Sequence, residues 1–176
     1  LSGPSHAEEV IQKYPTAIVS ASTDINNAKY IQKIFSNDFF RVYTASDTIG
    51  VEIGASIKNI ISIAAWICSG LGYGDNTMAA LVTRGSEEII RLGIAQGAER
   101  STFSGLSGIG DLIVTAFSPH SRNRQVGERI GKGEILSDII NDMQMIAEGV
   151  ETSRSIKSLI QIYKIEMPIC EKIYEV

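Results

Sequence analysis

The sequence has no basic tract, few cysteines and no glycine motif of the dinucleotide-binding type. Its 16 basic and 20 acidic residues give a formal net charge of −4, so we expect no binding of nucleic acid. Its two cysteines, Cys68 and Cys170, have no metal-binding spacing and are too few for a disulfide framework. We therefore expect no metal site and a reducing, cytoplasmic setting. The glycines of residues 105–110 have the wrong spacing, and no predicted strand precedes them, so we reject a Gly-x-Gly-x-x-Gly fingerprint there.

Long uninterrupted apolar runs are also scarce. The most apolar stretch, residues 49–68, is interrupted by Lys58 and Asn59, so we expect no membrane-spanning helix and no integral membrane contact. The chain of 176 residues starts at Leu1 rather than methionine and ends inside a predicted helix. We therefore expect it to be a piece of a longer protein. Its 44% hydrophobic and 20% charged residues are typical of a globular protein with one large or two small domains.

Strand and helix patterns alternate only near the start of the chain. Residues 16–21 and 40–44 are predicted strands, and Asp24 is placed to cap the helix between them. This alternation favours parallel α/β layering, and so few strands should be the trailing edge of a larger sheet. After about Thr48 the pattern is wholly helical. We predict a mainly α chain with a short α/β segment, divided into residues 1–47 and an all-α domain of residues 48–176. Predicted helix caps are Ser5, Ser121, Ser137 and Thr152, with Pro168 in the first turn of the last helix. Asp75 or Asn76 is predicted to start a further helix.

Lys58 lies inside the most apolar predicted helix. Burial disfavours a charged ammonium, so a lysine in this position is a candidate for proton transfer. The alternative is that Lys58 extends along the helix edge into water. Gly50 and Gly54 precede it by one to two helical turns, where a glycine lets another backbone or a ligand approach closely, or serves helix packing alone.

A second polar group begins at Ser121. Ser121, Arg122 and Asn123 at a predicted helix start would present a hydroxyl, a guanidinium, an amide and backbone N–H groups at the positive end of the helix dipole. Such a group suits a phosphate or a carboxylate; the alternative is an ordinary serine cap with two solvated arginines, Arg122 and Arg124. Asp111 is either a helix cap or, if it lies near Lys58, a partner for the ammonium or for a substrate hydroxyl. Glu148, judged by its neighbours alone, is predicted to be solvated.

Six segments together resemble the bacterial NAD(P)-dependent glycerol-3-phosphate dehydrogenases, and they span essentially the whole chain. They are residues 1–7 (LSGPSHA), 50–59 (GVEIGASIKN), 70–76 (GLGYGDN), 105–112 (GLSGIGDL), 118–124 (SPHSRNR) and 148–150 (EGV). Each motif is weak alone, but six in order are specific. Two departures are His6, where the family usually has Phe, and residues 145–147 (MIA) in place of a more valine-rich run. Both concern the cofactor edge and leave the preference between NAD and NADP open.

The resemblance implies a fold and a reaction. Residues 1–47 would be the last part of a Rossmann domain whose first part carries the dinucleotide fingerprint and a further lysine, and residues 48–176 would be the substrate domain. The implied reaction is the NAD- or NADP-dependent interconversion of dihydroxyacetone phosphate and sn-glycerol 3-phosphate. It would supply glycerol phosphate for phospholipid synthesis. The implied partner is a small phosphorylated substrate, and we expect a homodimer.

The resemblance also implies roles for individual residues. Lys58 would transfer the proton. The substrate-binding residues would be Gly3, Ser5, Lys58, Asn59, Asp111, Thr115, Ser121, Arg122 and Asn123, of which Ser121, Arg122 and Asn123 would grip the phosphate. The residues touching the dinucleotide would be Ala7, Arg122, Ile146 and Glu148.

Two other functions stay open. The chain could belong to another Rossmann-plus-helical dehydrogenase that acts on a small hydroxy acid, although the Ser121 group argues for a phosphate instead. It could also be a non-catalytic helical module whose apolar helices serve dimerisation. A chain without a dinucleotide fingerprint should, by itself, show no dehydrogenase turnover.

Overall fold

The computed structural model describes residues 1–118, 121–143 and 147–176 and confirms a mainly helical chain with a short α/β start. The helices and strands run in the order α1 (Ala7–Ile11), β1 (Thr16–Ala21), α2 (Ile25–Phe35), β2 (Phe40–Ala45), α3 (Thr48–Gly70), α4 (Asp75–Ala95), α5 (Asp111–Phe117), α6 (Arg122–Gly131), α7 (Leu136–Asp142), α8 (Glu148–Tyr163) and α9 (Pro168–Glu175). A 3₁₀ helix (Arg100–Ser104) and a π-helical segment (Leu106–Gly110) lie between α4 and α5.

The two predicted strands pair in parallel, which confirms the α/β layering. Their register runs from Thr16 opposite Phe40 to Ala21 opposite Ala45. Ser2 forms an isolated antiparallel bridge with Val19, so the first residues of the chain lie along β1. Asp24 caps α2 as predicted, because its carboxylate accepts a hydrogen bond from the backbone N–H of Asn26. Helix α3 begins at Thr48, while the division into two domains stays a prediction.

Helix α3 is the core element, and the other helices pack around it. It contacts α4, α5, α6, α8 and α9, and its Ile60, Ile61 and Ala65 are fully buried. Lys58 and Asn59 interrupt the apolar run but not the helix, because α3 runs through them and is 23 residues long. By length and composition it is the one helix of the described chain that could cross a membrane. About two thirds of its most apolar window (67%) is buried against the other helices, as in the core of a globular protein.

Helix α6 approaches α3 very closely because glycines line the contact. A Cβ added at Gly127 would lie 2.5 Å from the carbonyl oxygen of Ile63, and one at Gly131 would lie 2.4 Å from that of Ile67. Since real Cβ atoms do not come this near a backbone oxygen, only glycine permits the crossing. The close packing holds the first turn of α6 beside the middle of α3.

Three predicted caps were wrong. The N-cap of α1 is His6, and the Ser5 hydroxyl donates to the carbonyl of Gly3 (3.1 Å) instead. Ser137 and Thr152 lie inside α7 and α8, which begin at Leu136 and Glu148. The Thr152 hydroxyl donates to the carbonyl of Glu148 four residues earlier, a bond that lets threonine sit within a helix. Pro168 does occupy the first position of α9, as predicted.

Candidate functional site

A polar cleft of about 460 Å³ opens where the first residues of the chain meet helices α3, α5, α6 and α8. It contains most of the side chains that the sequence singled out. The lining residues are Ser5, His6, Ala7, Glu8, Lys58, Asn59, Thr115, Ser121, Arg122, Asn123 and Glu148.

Lys58 is paired with Asp111 at one side of this cleft. The lysine Nζ lies 2.5 Å from the Asp111 Oδ1 atom, and their side chains are 16% and 6% exposed. The Thr115 hydroxyl donates to Oδ1 and the Ser2 hydroxyl to Oδ2, each at 3.4 Å. Lys58 therefore neither extends freely into water nor lies unpaired among apolar residues; a nearly buried carboxylate fixes its ammonium at the cleft.

The glycines before Lys58 bring the backbone that carries Asp111 close to α3. A Cβ at Gly54 would lie 2.7 Å from the carbonyl oxygen of Ser107, in the π-helical segment just before Asp111. A Cβ at Gly108 would in turn lie 2.2 Å from the carbonyl oxygen of Phe103. Close backbone approach is thus the role of Gly54, and it brings the segment just before Asp111 against the helix that carries Lys58.

Asn59, the neighbour of Lys58, begins a chain of hydrogen bonds that joins three helices. Its Oδ1 atom accepts from Asn123 Nδ2 of α6 at 3.0 Å, and its own Nδ2 donates to Glu148 Oε2 of α8 at 3.2 Å. The Oδ1 atom of Asn123 accepts from the backbone N–H of Gly149 at 3.2 Å. Asn59 and Asn123 are 4% and 6% exposed, so these amides position the helices at the floor of the cleft.

The first turn of α6 presents the predicted anion-binding residues. Ser121 is the N-cap residue by position, although no cap hydrogen bond from its side chain occurs among the described residues. Arg122 is the first helical residue, and its side chain is 42% exposed to the cleft. Arg124, two residues further, stacks on the ring of Trp66 with its guanidinium carbon 4.2 Å from the ring centroid. This cation–π contact fastens the same turn to α3.

Glu148 reaches into the cleft from the first residue of α8. Its Oε1 atom lies 3.7 Å from a terminal guanidinium nitrogen of Arg122, while Oε2 accepts the hydrogen bond from Asn59. The side chain is 67% exposed. Glu148 is therefore solvated, as its neighbours in sequence suggested, and also in contact with two predicted substrate-binding residues.

The remaining predicted residues divide into three cases. Ser5 and Ala7 line the cleft at its N-terminal side. Gly3 is buried against β1, where its φ of +142° and a distance of 3.0 Å between an added Cβ and the Cα of Ile18 both require glycine. This packing against β1 is enough to explain why residue 3 is a glycine, whether or not it contacts a ligand. Ile146 lies outside the described residues.

Three residues near the site were not predicted as site residues. His6 and Glu8 line the cleft, and Ser2 donates to Asp111. The signals for His6 were its departure from the family pattern and its position between Ser5 and Ala7; Glu8 had only its nearness to Ala7. The contact of Ser2 spans 109 positions in the chain and has no counterpart in sequence spacing.

The cleft combines a fixed ammonium, an arginine at a helix start and hydrogen-bonding amides, which suits an anionic ligand with a polar reacting group. No group of three or more His, Cys, Asp or Glu side chains in the described ranges could hold a metal ion.

The two cysteines form no disulfide. Burial raises the pKa of the Cys68 thiol. At Cys170, burial and then the nearby Glu88 carboxylate raise the pKa well above its usual value.

Comparison with protein families gives two matches, one on each side of residues 29–46. The profile of the NAD-dependent glycerol-3-phosphate dehydrogenase C-terminus covers residues 47–176, and that of the corresponding N-terminus covers residues 1–28. A glycerol-3-phosphate dehydrogenase (NAD(P)+) of Salinibacter ruber is 54% identical over 176 residues, which are 100% of this chain and 52% of the relative. One from Lactococcus lactis subsp. lactis is 55% identical over the same shares of both chains. The chain thus spans about half the length of these relatives.

Solved structures give the same fold. The crystal structure of glycerol-3-phosphate dehydrogenase from Coxiella burnetii superposes with a TM-score of 0.95 at 38% identity, covering 99% of this chain and 54% of the other. The enzyme from yeast superposes with a TM-score of 0.86 at 24% identity, again over 99% of this chain and 54% of the other. At that identity the yeast likeness concerns the fold alone.

Proposed function

Because the chain belongs to the NAD-dependent glycerol-3-phosphate dehydrogenase family, we propose that its protein interconverts dihydroxyacetone phosphate and sn-glycerol 3-phosphate with NAD or NADP. The observation that carries this proposal is the Lys58–Asp111 pair, which lies in the same cleft as Arg122, Ser121 and Asn123. An ammonium and a helix start with an arginine thus line one small volume, which supports the proposed proton transfer and phosphate binding.

Lys58 is the proposed proton donor and acceptor. In the reducing direction the bound nicotinamide supplies a hydride to the carbonyl carbon, and the carbonyl oxygen gains negative charge. The ammonium of Lys58 stabilises that charge and protonates the oxygen; in the opposite direction its neutral amine takes the hydroxyl proton. Asp111 keeps the Nζ atom at the cleft, and Thr115 orients Asp111. Asp111 is also the proposed partner for a substrate hydroxyl.

The phosphate is the proposed ligand of the first turn of α6. Arg122 would bind two phosphate oxygens through its planar guanidinium, and Ser121, Asn123 and the backbone N–H groups would complete the site. An amide nitrogen carries two hydrogens, so Asn123 can bind phosphate while it also donates to Asn59. Binding at this end fixes the reacting carbon near Lys58. Gly3 and Ser5 are proposed to border the substrate from the N-terminal side.

Ala7, Arg122 and Glu148 lie on the rim of the same cleft, which fits the proposed contact with the dinucleotide, together with Ile146. We propose that the Rossmann domain, of which residues 1–47 are the last part, would hold most of the dinucleotide, and that residues 48–176 are the substrate domain. We further propose a cytoplasmic homodimer that supplies glycerol phosphate for phospholipid synthesis, with no integral membrane contact. Exposed Tyr30, Phe35 and Ile162 provide apolar surface for contacts between the two subunits of the proposed dimer.

The test compares substrates on the complete protein. Dihydroxyacetone phosphate should be reduced with consumption of NADH or NADPH, while dihydroxyacetone itself and short 2-oxo acids should react far more slowly. A preference for 2-oxo acids would favour the hydroxy-acid dehydrogenase instead, and absence of any turnover would favour the dimerisation module. A Gly-x-Gly-x-x-Gly segment should precede this chain in the reading frame.

A further inference from the structure

Glu148 contacts Arg122, the side chain that would hold the proposed phosphate, and Asn59 beside Lys58. One of its oxygens lies 3.7 Å from the Arg122 guanidinium, and the other accepts from Asn59 at 3.2 Å. Glu148 and Arg122 are the first residues of α8 and α6, and both helices start at the cleft. A carboxylate of the chain itself therefore sits where a ligand anion would meet Arg122.

The charges around the cleft determine how strongly this contact affects phosphate binding. Of the residues that the structure describes, two cationic side chains, Lys58 and Arg122, and two anionic ones, Glu8 and Glu148, line it. Lys58 is already paired with Asp111. Among the described lining residues, an incoming phosphate dianion thus finds no excess positive charge unless Glu148 withdraws from Arg122.

We infer that Glu148 is an internal competitor of the phosphate: its carboxylate engages Arg122 and Asn59 until a phosphoryl group displaces it. The inference rests on the proposed phosphate site of Arg122. An exposed ion pair at this distance is weak and readily exchanged. A phosphate that forms two short, charge-assisted hydrogen bonds with the guanidinium is the stronger ligand, so it displaces the carboxylate at a cost to its own affinity.

The loss of phosphate affinity caused by this competition should be measurable by removing the negative charge of Glu148. Glu148→Gln keeps an oxygen that can accept from Asn59 and removes only the negative charge. Since exposed ion pairs contribute little, the variant should bind inorganic phosphate about two- to five-fold more tightly than the parent. In an Arg122→Met background the guanidinium for which phosphate and Glu148 compete is gone. Adding Glu148→Gln there should change phosphate affinity by less than about half of the factor seen in the parent background.

The experiment titrates the complete protein with inorganic phosphate, without dinucleotide and at constant ionic strength, and follows binding by calorimetry. Glu151→Gln is the matched control: it removes an exposed acidic residue one turn further along α8, where Glu151 pairs with Arg154. It should leave phosphate affinity unchanged.

Three results would overturn the inference: equal or weaker phosphate binding by Glu148→Gln, an equal gain in the Glu151→Gln control, or a full gain in the Arg122→Met background. The turnover assay on the parent separates this from the proposed function. If the parent reduces dihydroxyacetone phosphate and depends on Arg122, but Glu148→Gln changes nothing, only the competitor role fails. If the parent reduces no phosphorylated substrate, the proposed function fails.

Discussion

The ammonium of Lys58 and the carboxylate of Asp111 form a nearly buried pair, with 2.5 Å between Nζ and Oδ1. The two residues come from different helices, α3 and α5, and are 53 positions apart in the chain. Ser2 and Thr115 donate to the same carboxylate. Asp111 therefore fixes the Lys58 ammonium, and its own orientation depends on the first residues of the chain and on α5.

The first prediction concerns Lys58→Met in the complete enzyme. Methionine keeps roughly the length and the apolar packing of the side chain, so the fold should survive while the proton donor is lost. General acid–base groups contribute about 10²- to 10⁴-fold, and loss of charge at the developing alkoxide adds to this, so kcat should collapse. Steady-state kinetics measures the effect, and dinucleotide binding should change little. A near-parental kcat in a folded variant would remove Lys58 from the mechanism.

The second prediction concerns Arg122→Lys. The charge is kept, but an ammonium cannot reproduce the planar pair of hydrogen bonds to phosphate, so KM for the phosphorylated substrate should rise about ten-fold or more. Arg154→Lys is a suitable control, because Arg154 is exposed on α8 and pairs with Glu151. Its kinetics should match the parent. Unchanged saturation by substrate in Arg122→Lys would contradict the phosphate site.

The sequence predicted what depends on local pattern. Both strands, the Asp24 cap, the helical remainder and Pro168 at the start of α9 follow from spacing and from residue preferences. Lys58 and Ser121 were also recognisable, since a charge in an apolar helix and a serine at a helix start are visible in a few residues.

Contacts between distant segments were not predictable in this way. The hydrogen bond from Ser2 to Asp111 and those from the α9 backbone to Glu88 join residues about 80 or more positions apart. Nor could spacing distinguish Ser137 and Thr152 from true caps, because serine and threonine also bond within a helix. The glycines could be noticed but not assigned, since only the fold shows which backbone lies against Gly54 or Gly127.

The third prediction concerns the chain of residues 1–176 expressed alone. It contains no Gly-x-Gly-x-x-Gly fingerprint, so it should bind nicotinamide dinucleotides poorly and show no dehydrogenase turnover. An assay with dihydroxyacetone phosphate and NADH on the purified chain measures this, with the complete protein as the positive control. Turnover by the pure chain would refute the prediction.

The fourth prediction concerns Asp47, which joins two parts of the fold. Its carboxylate accepts from the N–H groups of Gly50 and Glu99 and from the hydroxyl of Thr102, at 2.8, 2.9 and 2.6 Å. Burial alone would raise the pKa of Asp47, but the hydrogen bonds from Thr102, Gly50 and Glu99 together lower it below its ordinary value of 3.8. Asp47→Asn should therefore lower the free energy of unfolding by about 1 to 2 kcal/mol at neutral pH.

The pH dependence has a defined sign. A lowered pKa in the folded state means that the carboxylate stabilises the fold above pH 3.8 and loses this contribution as the pH falls through the lower folded value. The difference between parent and Asp47→Asn, measured by urea unfolding, should thus shrink below pH 3.8. Asp24→Asn serves for comparison, because Asp24 caps α2 through Asn26 alone among the described donors; it should cost less. A difference that stays constant through the acid range would contradict the assignment.

The fifth prediction concerns Glu88, whose carboxylate caps the last helix from a distance. Glu88 is 3% exposed, and its two oxygens accept from the backbone N–H groups of Ile169 and Cys170 at 2.8 and 3.0 Å. The carboxylate thus meets the positive end of the α9 dipole, with Pro168 in the first position. Glutamine at position 88 has the same shape but only one acceptor oxygen, so its amide NH₂ would face a backbone N–H.

Leaving a buried donor without an acceptor costs about 1 to 3 kcal/mol, so Glu88→Gln should lower the free energy of unfolding by that amount. Glu87→Gln is the matched control: Glu87 is adjacent and pairs with Arg100 on the surface, where substitution should change stability by less than about 0.5 kcal/mol. Thermal and urea unfolding measure both variants. Because Glu88 acts on α9 and not on the cleft, KM for the phosphorylated substrate should stay at the parental value. A stability equal to that of Glu87→Gln would show that Glu88 does not hold α9 in place.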